Sequence, residues 1–138
     1  MKLSRVLRLF IIILCLFIFS PVHSMTKGIV LFNNEPITAK NALHDNKVFR
    51  EGSRVYYLFI YPKRIKSEFI RVQVFKMTDN APWGGYDVVR TYDARVMKDE
   101  KYYYSDYFTF HEKGKYGLQV FSHRDFVRPL AVNYFYVQ

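Results

Sequence analysis

Short runs of β-branched and aromatic residues, repeated along the chain after residue 25, most strongly limit what this sequence can fold into. In the run from 69 to 76, the apolar residues Ile70, Val72 and Val74 alternate with polar ones. Successive side chains of a β-strand point to opposite faces, so this period of two is typical of a strand with one buried face. No segment after residue 25 keeps the 3.6-residue apolar period of an amphipathic helix. The pattern therefore predicts an all-β fold.

The apolar runs are separated by turn-forming residues at the spacing of an antiparallel β-sandwich or barrel, with about seven to eight strands. Two weaker runs, Ile37–Ala42 and Lys47–Phe49, predict a short strand or a turn of helix. Within the run from 86 to 97, every second residue from Val88 to Ala94 is expected on one face. The runs expected to form the main strands are Gly28–Phe32, Arg54–Tyr61, Phe69–Lys76, Tyr86–Met97, Tyr102–Phe110, Tyr116–Phe121 and Pro129–Val137.

The first 24 residues have the three zones of a secretory signal peptide. Lys2, Arg5 and Arg8 form a positive region, residues 9–19 are all apolar, and a short polar stretch ends at Ser24. The apolar run is shorter than the roughly 20 residues that a membrane-spanning helix needs. We therefore expect a helical signal peptide over residues 1–24 and a periplasmic or secreted bacterial domain over residues 25–138. An uncleaved anchor is the alternative, and only that segment is then expected to contact a membrane.

Removal of the signal peptide changes the cysteine content and the net charge of the remaining domain. The single cysteine, Cys15, lies within the signal, so the exported domain has no disulfide and depends on packing alone. The formal net charge falls from +9 to +6 when the signal is removed, and the remaining charges are scattered rather than gathered in one run. Because an exported protein is also kept away from cellular nucleic acid, no nucleic-acid partner is expected.

One motif is more specific than the strand pattern. Residues 112–118 read Glu-Lys-Gly-Lys-Tyr-Gly-Leu and follow a short apolar run. This stretch resembles the entrance to the penultimate strand of immunoglobulin-like and fibronectin type III-like domains. The resemblance implies an immunoglobulin-like β-sandwich in which the hydroxyl of Tyr116 bonds back to nearby backbone at a corner between the sheets. Leu118 then takes the place of the cysteine in true immunoglobulin domains. The resemblance concerns the fold alone, since this scaffold carries many unrelated functions.

Reactive side chains give no positive sign of an enzyme. None of the domain's four serines lies in a Gly-x-Ser-x-Gly motif, and Gly84-Gly85 is typical of a turn rather than of a phosphate-binding loop. The expectation is therefore a non-enzymatic domain without catalytic residues, bound metal or cofactor, although an enzyme of an unrecognised type remains a third alternative. The histidines are expected in separate loops, too far apart for a metal site: His44, His111 and His123.

Aromatic residues are the main indication of a binding function. The exported domain has 23 of them, and Tyr56-Tyr57 and Tyr102-Tyr103-Tyr104 must each place at least one ring outward, because neighbours in a strand face opposite ways. Exposed tyrosine and tryptophan form good contact surfaces for proteins and for sugars. We expect Trp83 and Tyr86, in and after a turn-rich loop, to form the contact site. The alternative for Trp83 is a cap over one end of the core.

Lys63 and Arg64 form the densest basic cluster together with Lys66. They are expected either to receive an acidic partner or to be a solvated turn that discourages pairing at a sheet edge. The sequence thus predicts a module that binds an envelope or extracellular protein. The alternative is a carbohydrate-binding module in which Trp83 and outward tyrosines stack on a polysaccharide.

Overall fold

The computed structural model describes residues 28–78, 85–98 and 102–138. In these ranges the chain forms eight β-strands and no α-helix, which confirms the predicted all-β class. The expected signal peptide and Trp83 lie outside the described residues. The strands are β1 (Ile29–Asn33), β2 (Val48–Phe49), β3 (Arg54–Ile60), β4 (Phe69–Met77), β5 (Tyr86–Arg95), β6 (Tyr103–Thr109), β7 (Gly114–Ser122) and β8 (Ala131–Val137).

The strands form two sheets packed as a sandwich. One sheet has three strands in the order β1-β3-β6, and the other has five in the order β2-β8-β7-β4-β5. All neighbouring strands are antiparallel except β2, which runs parallel to β8. Asn133 joins the sheets on one side, since its Nδ2 donates to the carbonyl oxygen of Val30 at 2.6 Å.

The core lies between the sheets and is rich in aromatic rings. The ring of Phe135 in β8 lies 4.7 Å from that of Phe32, 5.2 Å from that of Phe110 and 5.7 Å from that of Phe49. The side chains of β4 at 70, 72 and 74 are buried as the alternation predicted. Burial of this many large apolar side chains accounts for how the domain can fold without a disulfide.

The tyrosine pairs alternate across the three-stranded sheet as expected. Tyr57 and Tyr104 point into the sandwich, where their rings lie 6.3 Å apart, whereas Tyr56 and Tyr103 point to the outer face. The weak run Ile37–Ala42 forms turns instead of a strand, because Asn41 bonds to the backbone around it: its Oδ1 accepts from the amide of Thr38 at 2.7 Å.

A β-bulge corrects one prediction about β5. Arg90 pairs with Val74, but Val88 pairs with Phe75, so Val89 is an extra residue in β5. An extra residue reverses the direction of all side chains beyond it. Val88 therefore faces outward and is exposed, while Ala94 on the other side of the bulge is buried. The prediction that Val88 shares a face with Ala94 is wrong, because the bulge lies between them.

The hydroxyl of Tyr116 donates to the carbonyl oxygen of Glu112 at 2.8 Å. Its ring is buried and lies 5.7 Å from that of Phe135, nearly parallel to it. Burial raises the pKa of Tyr116, so its hydroxyl stays protonated and able to donate. The bond fixes the backbone where the chain enters β7.

A second tyrosine group fills the side of the sandwich between β5 and β6. The hydroxyl of Tyr57 bonds to that of Tyr92, and Asp106 accepts from the hydroxyls of Tyr92 at 3.4 Å and Tyr104 at 3.3 Å. Burial raises the pKa of both Tyr57 and Tyr92, because ionisation in this apolar surrounding is costly. The hydroxyls of Tyr57 and Tyr92 stay protonated and bonded, so these rings are part of the folded core.

No helix in the described ranges is long and apolar enough to cross a membrane.

Candidate functional site

Tyr86 is the first residue of β5 and lies on the outer face of the five-stranded sheet, where it pairs with Met77 of β4. It faces outward because of the bulge at Val89, which shifts the register between Val74 and Phe75. The ring of Tyr86 lies 5.2 Å from that of Phe75, and 49% of the residue stays exposed. The structure thus places one predicted contact residue on an open sheet face.

Tyr86 belongs to a larger group of rings that we call the aromatic row: Tyr86, Phe75, Tyr134 and Tyr136. The rings of Phe75 and Tyr134 lie 5.8 Å apart in an edge-to-face arrangement. Tyr134 and Tyr136 alternate with inward-facing residues of β8 and remain 41% and 47% exposed. The row extends from β5 across β4 to β8.

Gly117 of β7 makes the row continuous. It pairs with Phe75 on one side and with Tyr134 on the other. A Cβ atom at this position would overlap the ring of Phe75, so Phe75 can lie flat across β7 only because residue 117 is a glycine. Sequence reasoning took Gly117 as one member of an alternating strand and did not find this role, because the close approach depends on the pairing of β4 with β7.

Lys115 adds positive charge at one end of the row. Its Nζ lies 5.2 Å from the ring centre of Tyr134 and 5.7 Å from that of Tyr136. A cation over an aromatic face is attracted by the negative charge of the ring face. The row therefore combines exposed rings with one cation that is available to an acidic group.

Beyond the row, several polar side chains of β4, β5 and β7 on this outer face bond to one another. Arg71 donates from Nε to Asp93 at 2.8 Å and from Nη2 at 3.1 Å, and His123 Nε2 lies 3.2 Å from the same carboxylate. The hydrogen bond from Arg71 holds the pKa of Asp93 down, at about 2. Gln73 bonds to Thr91 and Gln119. A ligand would have to break these bonds, so the aromatic row is the more available half of the face.

Lys63 and Arg64 do not join Tyr86. Both are exposed in the loop between β3 and β4, which precedes Phe69, whereas Tyr86 pairs with the last residue of β4. At about 3.3 Å per step, the eight steps from the first to the last of the nine residues of β4 separate the two places by about 26 Å. The structure thus places Lys63 and Arg64 apart from Tyr86, because the loop and the start of β5 lie at opposite ends of β4.

Lys63 and Arg64 belong instead to what we call the basic end: the loop 61–68, residues 95–98 and the loop 122–130. Two adjoining cavities of about 800 and 280 Å³ open there, and both are lined by Arg64, Ile65 and Lys66. Arg95 and Lys98 line the larger cavity, whereas Lys63 and Arg124 line the smaller. The loops therefore bring together cations that are distant in sequence.

Most of these cations have no acidic partner. Arg95 pairs with Glu68 at 2.8 Å. Asp125 accepts from the backbone amides of Val127 at 2.9 Å and Arg128 at 3.1 Å, and these bonds hold its pKa below the usual range. Within the described residues, no salt bridge involves the remaining basic side chains of this end: Lys63, Arg64, Lys66, Lys98, Arg124 and Arg128.

A third surface lies on the outer face of the three-stranded sheet. Residues 37–42 lie beside β3 and β6 and leave a cavity of about 460 Å³ with a mainly apolar lining, including Leu58, Ile60 and Tyr103. Farther along the same sheet, the guanidinium of Arg54 lies 4.8 Å from the ring centre of Tyr107. The exposed tyrosines are thus divided between the two outer faces of the sandwich.

Metal-binding side chains do not converge in the described ranges. No group of three His, Cys, Asp or Glu residues there is placed to hold a metal ion. His111 precedes β7 and His123 follows it, so the strand separates them.

The comparisons with known proteins identify no family: no family model and no curated protein matches the sequence. Several solved structures resemble parts of the fold at low TM-score and low identity. Pseudomonas fluorescens alkylpurine DNA glycosylase AlkC bound to DNA containing an abasic site analog has a TM-score of 0.38 at 11% identity over 67% of this chain. The β-glucosidases of Listeria innocua and Kluyveromyces marxianus have TM-scores of 0.40 and 0.39 at 13% identity, over 80% and 83% of this chain. This chain covers 28%, 16% and 15% of those three chains, respectively.

Proposed function

We propose that residues 25–138 form an exported immunoglobulin-like β-sandwich that follows a signal peptide over residues 1–24. The strand order supports this proposal, since three strands face five and all neighbouring strands except the two-residue β2 are antiparallel. The bond from Tyr116 to Glu112 also supports it, because a tyrosine corner of this kind is a feature of such sandwiches. The N-terminal zones support delivery to the periplasm or the exterior.

The function that we propose is non-enzymatic binding of a protein partner in the cell envelope or outside the cell, without a cofactor. The aromatic row carries this proposal. Its half-exposed tyrosines lie on rigid strands, so they lose little conformational freedom on contact, and tyrosine is enriched at the centre of protein interfaces. Lys115 makes a partner with a carboxylate at that edge favourable. Trp83 precedes Tyr86 by three residues and is expected to add to the same surface.

Site-specific photo-crosslinking tests this function. p-Benzoylphenylalanine replaces Tyr134 in the row in one chain, and in the control chain it replaces Tyr107 on the opposite outer face, where the tyrosine is equally exposed. Irradiation of the cells that make the protein should give a discrete adduct from position 134 and none from position 107. Equal adducts at both positions, or none at 134, would contradict binding through the aromatic row.

Carbohydrate binding is the second candidate, and it uses the same surface. Edge and face contacts between Tyr86, Phe75 and Tyr134 give a platform of rings on which sugar faces can pack. Trp83 is the only tryptophan, so tryptophan fluorescence reports on the segment that precedes Tyr86 in the sequence. A fluorescence change with a soluble envelope polysaccharide that is lost in Tyr134→Ala and kept in Tyr107→Ala would favour the sugar. No response to polysaccharide, together with a crosslink at 134, would favour the protein.

A further inference from the structure

The basic end lies at the opposite end of β4 from the aromatic row, and the proposed function makes no use of it. Six of its cations lack a salt bridge in the described part of the chain, as shown above. Surface cations gathered without acids raise the local potential and attract anions. Residues 99–101 follow Lys98 in the sequence and carry two acids and one lysine. The described cations still outnumber all the acids of the end.

Apolar side chains are exposed among these cations. Val127 lies between Phe126 and Arg128 in the loop 122–130 and is 86% exposed. The carboxylate of Asp125 fixes this turn by accepting from the amides of Val127 and Arg128. Met97 follows β5 and is 59% exposed beside Lys98. The same loops thus present both unpaired cations and apolar tips.

The cavities between the loops have an apolar floor. Ile65 and Val96 line the larger one and are both almost fully buried, whereas the cationic side chains of Arg64, Lys66 and Lys98 line its exposed parts. This arrangement favours an amphipathic anion over a fully hydrated one. Burial of the apolar floor by the apolar part of the ligand is favourable, and the surrounding cations neutralise its charge.

We propose that the basic end binds the surface of an anionic phospholipid bilayer, with its cations at the phosphate groups and Val127 and Met97 in the headgroup region. Charge complementarity and the apolar tips together favour a bilayer over an acidic protein. A bilayer offers phosphates to the cations and an apolar interface to the tips, whereas an acidic segment offers nothing to an isolated valine. This contact is separate from the N-terminal segment, for which a signal peptide is expected and an anchor is the alternative, and it is independent of the aromatic row.

Vesicle co-sedimentation tests the proposal. The full chain is mixed with vesicles of phosphatidylcholine alone or of phosphatidylcholine with phosphatidylglycerol, and the charge-reversal variant Lys63→Glu/Arg64→Glu is compared with Arg50→Glu/Lys113→Glu. Both variants change the net charge equally, but Arg50 and Lys113 lie at the other end of the sandwich. Every chain carries the same N-terminus, so differences between variants report on the loops alone.

Wild type should bind the phosphatidylglycerol vesicles more tightly, and binding should weaken as salt is added. Each cation near an anionic surface contributes about a fivefold gain, so Lys63→Glu/Arg64→Glu should lose at least about 25-fold. The control variant should stay near wild type. An equal loss in both variants, or equal binding of wild type to both kinds of vesicle, would overturn the proposal.

Val127→Ser separates a bilayer from a soluble polyanion. Its side chain is so exposed that thermal unfolding should be unchanged, which circular dichroism checks. The variant should bind phosphatidylglycerol vesicles about fivefold less tightly, while binding to soluble polyglutamate stays as in wild type. Two results would overturn the proposal of bilayer binding and indicate an acidic protein instead. One is unchanged vesicle binding by Val127→Ser, and the other is tighter binding of wild type to polyglutamate than to vesicles at equal charge.

Discussion

Tyr57 lies between the two sheets with none of its surface exposed, whereas Tyr134 lies on the outer face of the five-stranded sheet and keeps 41% of its surface. The hydroxyl of Tyr57 is bonded to Tyr92, and its ring stacks on that of Phe108 at 5.3 Å. No hydrogen bond within the described residues involves the hydroxyl of Tyr134, and its ring contacts are with Phe75 and Lys115. The number of tyrosines alone therefore does not indicate how large a contact surface is, because some of the tyrosines pack in the core.

Replacement of an interior or an outer tyrosine by alanine should give the largest difference in the free energy of unfolding. Tyr57→Ala should lower the free energy of unfolding by about 3–5 kcal/mol, because it removes a fully buried ring and leaves a cavity. Tyr134→Ala should lower it by less than about 1 kcal/mol. Urea unfolding followed by circular dichroism measures both. Similar losses for the two variants would mean that the row belongs to the core.

Gly117→Ala tests whether the position of Phe75 in the aromatic row requires a glycine in β7. The added methyl group must displace the ring of Phe75, which is expected to cost about 1–3 kcal/mol of stability. Displacement of Phe75 should also weaken the crosslink at position 134. Gly52→Ala is a poor control because its φ is positive, so Ser105→Ala on the other sheet is the better one. An unchanged unfolding midpoint in Gly117→Ala would contradict the close approach of Phe75 to β7.

Removal of a single hydroxyl group should give a smaller difference in stability between a buried and an exposed tyrosine. Tyr116→Phe should cost about 1 kcal/mol, because the carbonyl of Glu112 loses its bond from the buried hydroxyl. Tyr136→Phe should leave the unfolding midpoint unchanged, since its ring is half exposed. The urea midpoints of the two variants measure the difference. Equal midpoints would show that the corner bond contributes nothing to stability.

The polar half of the outer face should give the smallest effect, and it depends on pH. The pKa of Asp93 is lowered from 3.8 to about 2 by Arg71, so its contribution is present above about pH 4 and is lost as the pH falls toward 2. The side chains of Arg71 and Asp93 are each about one third exposed. Screening by solvent should therefore keep the contribution of this ion pair below about 1 kcal/mol. Asp93→Asn should therefore be slightly less stable than wild type at pH 6 and equal to it near pH 2. A constant difference across that range would exclude the ion pair as its source.

Much of the fold follows from the sequence because the period of two in a strand is a local signal. The run Arg54–Tyr61 became β3 (Arg54–Ile60), and the run Phe69–Lys76 became β4 (Phe69–Met77), each within one residue. The weak signal at Lys47–Phe49 corresponds to β2, which has two residues and pairs with β8. The bond at Tyr116 was also expected, because a seven-residue motif carried it.

The contact surfaces follow from the sequence only in part, because they depend on register. The bulge at Val89 decides that Tyr86 faces outward, and nothing in the residues from 86 to 95 marks which of them is the extra one. The distance between Arg64 and Tyr86 is set by the length of β4, and the position of Gly117 under Phe75 is set by the pairing of β4 with β7. Such facts arise from contacts between strands that are distant in the chain.

Retention on immobilised envelope proteins of the source cells, freed of lipid by detergent extraction and measured for two double variants, tests the central claim most directly. Tyr86→Ala/Tyr134→Ala removes two tyrosines from the aromatic row, and Tyr56→Ala/Tyr107→Ala removes two from the opposite outer face. The account predicts that the first chain is released while the second is retained like wild type, with both folded by circular dichroism. Release of both chains alike, or retention of both, would contradict a binding function of the aromatic row.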